Sequence, residues 1–251
     1  MLSPYAKNEW LTILAIGLLL TIASFAVGLW WLAFLILPLT AALIAFFRDP
    51  NRKIPSQRGA MISPADGRVS SIHEVEHFEP FDSPATCIRI FLSVLDVHIN
   101  RSPCHGQVKS ITYKPGDHKN ALNPTSAETN ESNLIVLVHP IRQHPLAAVR
   151  QVAGLLARTI TCGVSEGDVA QRGQRIGIIK LGSTTELYLP AELQPKVVVQ
   201  QGQSVYAGMT VLATVMSKDA IETGPASTPA NPSADEPAAA QATEPAQSTS
   251  A

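Results

Sequence analysis

The chain has almost no net charge, few cysteines and no recurring pair of metal-ligand residues, and each shortage removes a class of function. Its 251 residues carry 19 basic and 20 acidic side chains, a formal charge of −1, so there is no basic field suited to nucleic acid. Cys87, Cys104 and Cys162 are odd in number, widely spaced and without a CxxC pair. That argues for reduced thiols and against a disulfide framework or a zinc cluster. The histidines (His73, His77, His98, His105, His118, His139, His144) are scattered, with no HExxH spacing, so no metal is expected. Large apolar residues all but vanish from 217 to 251, a run of Ala, Pro, Ser, Thr and Glu. Such a segment cannot bury enough surface to offset its ordering entropy, and a disordered tail is expected there.

The most informative absence is of charge between Trp10 and Phe47. That stretch is roughly 38 residues, about 57 Å as one helix, against about 30 Å of hydrocarbon. One straight span would be far too long, and Gly28 divides it into helices at about 10–27 and 29–47. Lys7 flanks one side, Arg48, Arg52 and Lys53 the other, and basic flanks that stay inside make the block a hairpin with both ends in the cytoplasm. Trp30 and Trp31 suit the far interface. A signal peptide fits poorly, because the block is too long, its start weakly basic and no small-residue cleavage site ends it. A hairpin that embeds without crossing remains open. Residues 1–48 are thus expected to be a cell-membrane anchor, 49–216 a working domain on the cytoplasmic side, and 217–251 the tail.

Asp49-Pro50 breaks the helical pattern, and short apolar runs between turn residues then read as β structure. Strands are expected at Arg68–Ile72, Ile88–Leu92, Lys109–Tyr113, Leu134–Val138, Arg175–Leu181 and Glu186–Leu189. The spacing of Val149, Val152 and Leu156 predicts one short helix around Leu146–Ala153. Pro115 to Asn133 is polar and turn-rich, as active-site loops are. Phe78 and Phe81 lie in an acidic loop that would either dip into a membrane interface or form a solvated hairpin tip. The glycine-hinged segments 164–177 and 197–213 resemble the hairpins of lipoyl and biotinyl carrier barrels. The hairpin Gln201–Ala207 offers no lysine for a carrier's modification, so the shape is taken from this likeness and the carrier function is not. The fold class expected is mainly β (α+β), a lipoyl/biotinyl-like β-barrel-sandwich behind a membrane-embedded helical hairpin.

Six motifs in order carry a further resemblance. They are Ser63-Pro64-Ala65-Asp66-Gly67; Leu95-Asp96-Val97-His98-Ile99-Asn100-Arg101-Ser102-Pro103; Tyr113-Lys114-Pro115-Gly116; and Asn130-Glu131-Ser132-Asn133. Glu166-Gly167-Asp168 with Gly173-Gln174-Arg175-Ile176-Gly177, then Leu181-Gly182-Ser183-Thr184, complete the set. From about residue 45 to about 215 the chain resembles the short-form, membrane-anchored phosphatidylserine decarboxylase proenzymes. It departs from them in two places. Short-form members often read Phe-Gly-Ser-Arg where this chain has Leu181-Gly182-Ser183-Thr184, and Arg101 stands where long-form members carry a second histidine.

The resemblance implies autocatalytic serinolysis between Gly182 and Ser183, giving a large β chain (1–182) and a small α chain (183–251). The cofactor implied is a covalently bound pyruvoyl group derived from Ser183, forming a Schiff base with the substrate, with no metal and no pyridoxal phosphate. The reaction implied converts phosphatidylserine to phosphatidylethanolamine and carbon dioxide in phospholipid biosynthesis. Asp66 and His98 are the bases that the family pattern picks out; otherwise Asp66 is a turn residue and His98 a strand-end partner of Asp96. Arg101 would pair with substrate phosphate or carboxylate, or else be a rim charge. His118, Asn130 and Glu131 would order the substrate, or else supply ordinary loop polarity. A membrane tether suits a lipid substrate, since a soluble amino acid needs no enzyme at the bilayer. The same chemistry on an archaetidylserine-type ether lipid, a non-enzymatic tethered β-barrel adaptor, and homo-oligomerisation all stay open.

Overall fold

Gly28, at φ +76°, makes a left-handed turn between two apolar helices, α1 (Lys7–Ala26) and α2 (Ala33–Ala45). They approach so closely at Gly17 that any side chain there would collide with Thr40, which is how small residues let apolar helices pack. The segment Pro4–Ala26 is long and apolar enough to cross a membrane, whereas the apolar helix Trp30–Ala45 is shorter. This N-terminal apolar structure points to membrane association. The computed structural model describes residues 1–117, 129–154, 159–180 and 183–215, so the expected tail lies outside the described residues.

After the helices the described chain is mainly β. In order come β1 (Ala60–Ile62), β2 (Gly67–Phe78), β3 (Ser83–Leu92), β4 (Ile99–Arg101), β5 (Gly106–Lys114), β6 (Ser132–Val138) and β7 (Pro145–Val152). There follow β8 (Ile160–Cys162), β9 (Val169–Ala170), β10 (Arg175–Ile179), β11 (Ser183–Pro190), β12 (Lys196–Val197), β13 (Ser204–Val205) and β14 (Val211–Thr214). An eight-stranded sheet runs β13-β2-β3-β11-β7-β6-β5-β9, and two three-stranded sheets run β1-β14-β12 and β4-β10-β8. Every pairing between these strands is antiparallel.

Period-2 alternation decides what each face of the large sheet meets. Ile88, Ile90 and Leu92 of β3, Leu187 and Leu189 of β11, and Ile135 and Leu137 of β6 point into one core. Met61 and Leu212 from one small sheet and Ile176 from the other close it. The residues between them face the opposite way, where Arg89 and Tyr188 both bond the buried Glu186.

Two expectations fail here. Leu146–Ala153 is no helix: Pro145–Val152 is a strand held between β6 and β11. It is buried on both faces, so its apolar residues do not alternate, and a continuous apolar run reads equally as a helix. Phe78 and Phe81 do not reach for a membrane. Phe78 stacks on Tyr188 with ring centroids 4.1 Å apart, and Phe81 packs edge-on against Phe78. Together they cover the outer face of β11.

Candidate active site

The site lies at one end of the large sheet. Ser183, first in β11, sits opposite Leu92, last in β3. Thr184 is flanked by Phe91 and Val152, and Val152 pairs in turn with Ser132 at the start of β6. Arg68 faces Phe91 from the other side. Gly67, at φ +146°, lies so close to the Phe91 carbonyl that any Cβ would collide with it. That fixed approach sets the position of Asp66 just before it.

The central side chain is Ser183. It is fully buried, and its Oγ has no hydrogen-bond partner among the described residues. A buried unpaired hydroxyl costs about 1–3 kcal/mol, so its persistence calls for a chemical reason.

His98 is buried as well, and its Nδ1 lies 2.9 Å from the Asp96 carbonyl. A carbonyl only accepts, so Nδ1 carries the proton, and in the neutral ring Nε2 is left as the basic nitrogen. Burial pulls the His98 pKa down to about 4, against the Asp96 carbonyl, which favours the charged ring. The His98 carbonyl accepts from Ile179 N–H at 3.2 Å, tying this loop to the strand before the Gly182-Ser183 bond.

Asp66 has both oxygens engaged, Oδ1 by Ala207 N–H at 2.7 Å and Oδ2 by Arg52 at 2.7 Å. Burial still pushes its carboxyl above the usual range, although both partners pull it down. The motif around it meets the next one directly, since the Pro64 carbonyl accepts from Arg101 N–H at 2.9 Å.

Arg101 is directed elsewhere than the sequence suggested. Its guanidinium donates to Asp49 Oδ1 at 2.8 Å, to the Gly173 carbonyl at 3.0 Å and to the Pro50 carbonyl at 3.2 Å. Arg175 bonds the other oxygen of Asp49. Asp49 thus ties the end of the helical pair to β4 and β10. Around it Phe47, Val97, Ile99 and Ile178 form a small core, with Tyr5, Trp10 and Phe46 packed against it. The Phe46 ring lies on His98 at a centroid distance of 4.5 Å, and Glu9 pairs with Lys180. The foot of the helical pair therefore touches both the His98 loop and the segment leading to the Gly182-Ser183 bond.

Asn130 is buried and donates to the Ala153 carbonyl at 2.8 Å, while Glu131 exchanges backbone bonds with Asp117 and Ala153. Both sit at the same sheet end as Ser183. His118 and Gly182 lie outside the described residues.

Sequence reasoning missed two features. One is Asp49, read only as a helix breaker. The other is a buried chain of amides in which Asn133 donates to Gln151, Gln151 to Asn100 and Asn100 to Thr185, at 3.0, 2.8 and 3.1 Å. Its available signal was a glutamine inside the apolar run of β7.

The neutral burial of His98 predicts a pH effect. Unfolded, the ring titrates near 6.5; folded, near 4. Between those values the unfolded chain binds the extra proton, so the stability present above pH 6.5 is lost as pH falls, by roughly 3 kcal/mol in all. Thermal melts should fall more steeply in wild type than in His98→Gln from pH 6.5 to 4. Parallel curves would contradict the assignment.

The sequence model of the family Phosphatidylserine decarboxylase matches residues 39–213. A phosphatidylserine decarboxylase proenzyme of Carboxydothermus hydrogenoformans is 40% identical over 211 residues, 84% of this chain and 96% of that protein. Those of Oleidesulfovibrio alaskensis and Rhodopirellula baltica are 43% and 39% identical, over 73% and 84% of this chain and 82% and 91% of their own lengths. The chain belongs to the phosphatidylserine decarboxylase family.

Proposed function

We propose that this chain cuts itself between Gly182 and Ser183 and then decarboxylates phosphatidylserine to phosphatidylethanolamine at the membrane. The unpartnered, buried Ser183 hydroxyl carries this reading. Ser183 Oγ adds to the carbonyl of residue 182, its proton passes through a base to the nitrogen of residue 183, and the C–N bond breaks, so an ester replaces the amide. Loss of the Cα proton of residue 183 then expels the carboxylate of chain 1–182 and leaves dehydroalanine, whose hydrolysis releases ammonia and leaves a pyruvoyl end on chain 183–251. That carbonyl supplies the electron sink which decarboxylation of an α-amino acid requires.

The other residues hold and move protons. In this scheme His98, neutral and with Nε2 basic, accepts the serine proton, and Phe46 keeps water from one face of its ring. Asp66 holds Arg52 and the Ala207 backbone, and its raised carboxyl is the second base. Asn130 and Glu131 order the substrate at the sheet end, and His118 keeps the ordering role that the sequence gives it, while Arg101 supports the strand after His98. Phosphatidylserine is favoured because the site adjoins the foot of an apolar anchor. Both helices are read as a hairpin with its basic flanks and the working domain in the cytoplasm. The large sheet, with β1-β14-β12 across the core and turns at Gly202 and Gly208 (φ +85° and +76°), is read as a barrel-sandwich of lipoyl/biotinyl kind.

Intact mass of the purified protein tests the scheme. Two chains are expected, the smaller beginning at position 183 with a blocked pyruvoyl end. One full-length chain in an active preparation would sink it, and one chain without activity would favour a tethered adaptor.

A further inference from the structure

Beside the site, a turn exposes two apolar residues that no described residue covers. From Ser93 to Asp96 the chain is closed twice: Asp96 N–H donates to the Ser93 carbonyl at 3.0 Å, and Ser93 N–H to Asp96 Oδ2 at 2.8 Å. Val94 and Leu95 are left on the tip, 46% and 83% exposed. An exposed leucine alone is ordinary; its location gives it meaning. Arg48 is the first charged residue after the charge-free stretch, so it marks where the chain leaves hydrocarbon. Its guanidinium donates to the Leu95 carbonyl. Phe46 lies tilted against His98, three residues beyond the tip. The tip is thereby held at the depth of the anchor's foot.

We infer that Val94 and Leu95 form a second membrane contact, entering the bilayer surface beside the anchor and bringing lipid headgroups to the adjoining cavity. This rests on the decarboxylase reading and adds the route by which its lipid arrives. The cavity, of ≈ 390 Å³, has Arg68, Ser93, Asp96 and Tyr206 in its wall. Two aliphatic side chains suit the acyl boundary, and Arg48 and Arg68 offer positive charge at the level of lipid phosphates. Asp96 borders the cavity and also holds His98 through its carbonyl, so a headgroup admitted there lies next to the base.

The full chain, reconstituted in phosphatidylcholine–phosphatidylserine vesicles, provides the test. An NBD fluorophore is placed on Leu95→Cys in a Cys162→Ser background, since Cys87 and Cys104 are buried. Its emission should shift to the blue on the vesicles and be quenched by lipids with a doxyl group near the headgroup end of the acyl chain. NBD on Ile141→Cys, exposed in the β6–β7 turn at the other end of the sheet, should stay unquenched. Equal signals at both positions would overturn the proposal. In a second arm, Val94→Ser/Leu95→Ser should lose about tenfold in rate on long-chain phosphatidylserine in vesicles, while monomeric short-chain phosphatidylserine is turned over within about twofold of wild type. Equal loss on both substrates, or loss on neither, would also overturn it. Were the unaltered chain inactive on both, the decarboxylase reading would fall, and the quenching would still decide the tip.

Discussion

A Ser183→Ala protein is expected to fold as well as wild type and yet remain a single, inactive chain. The expectation follows from what the hydroxyl lacks. Ser183 Oγ makes no hydrogen bond among the described residues, so alanine removes no interaction and leaves no polar partner stranded. It should even relieve the cost of burying an unpaired hydroxyl, about 1–3 kcal/mol. Strand pairing of β11 with β3 and β7 is a backbone matter and survives the change. Failure to cut could then not be blamed on misfolding, which circular dichroism of the variant would check. Ser183→Cys keeps a nucleophile and should cut slowly. Two chains from Ser183→Ala would remove Ser183 from the scheme.

Asp49→Asn should be the most damaging single change outside the reacting groups. One carboxylate, almost fully buried, neutralises Arg101 and Arg175, and the same residue donates its backbone N–H to the Met1 carbonyl. Asparagine keeps the shape but leaves two guanidinium groups without their counter-charge. Breaking a buried pair from one side costs roughly 3–5 kcal/mol, and Arg175, partly exposed, recovers a share through water. For a domain of this size that is a fall in melting temperature of roughly 10 °C, read by thermal scan in detergent. Self-cleavage, followed by intact mass over time, should slow as well, because Phe46, which lies on His98, is seated by the same foot. A variant with unchanged melting and unchanged cutting would show that Asp49 does not couple anchor to site.

What the sequence revealed depends on how local each signal is. Strands such as that expected at Leu134–Val138, observed as Ser132–Val138, were visible because a short apolar run between turn residues is a property of neighbours. β7 was misread because burial on both faces erases the alternation that separates strand from helix. Phe78 read as either a membrane finger or a solvated tip because a sequence shows its acidic neighbours and not Tyr188, which it covers from 110 positions away. Ser183 could be named from a motif, but that its hydroxyl lies buried without a partner is a three-dimensional fact. Asp49 follows the same rule, its arginines coming from residues 101 and 175. The sequence offered Leu95 only as the first residue of a motif, and gave no hint that Arg48 would bond its carbonyl.

The place of β11 in the large sheet has a consequence for the life of the enzyme. The residue at which the proposed cut falls opens a strand lying between β3 and β7, with every one of its residues buried. The precursor folds as one molecule, with that strand supplied from within. After the cut, the strand belongs to a separate chain held only by its neighbours, and a mature enzyme once unfolded would have to recover it through an encounter between two molecules. Maturation is therefore a ratchet: folding precedes it, and its persistence afterwards is governed by how slowly the sheet opens.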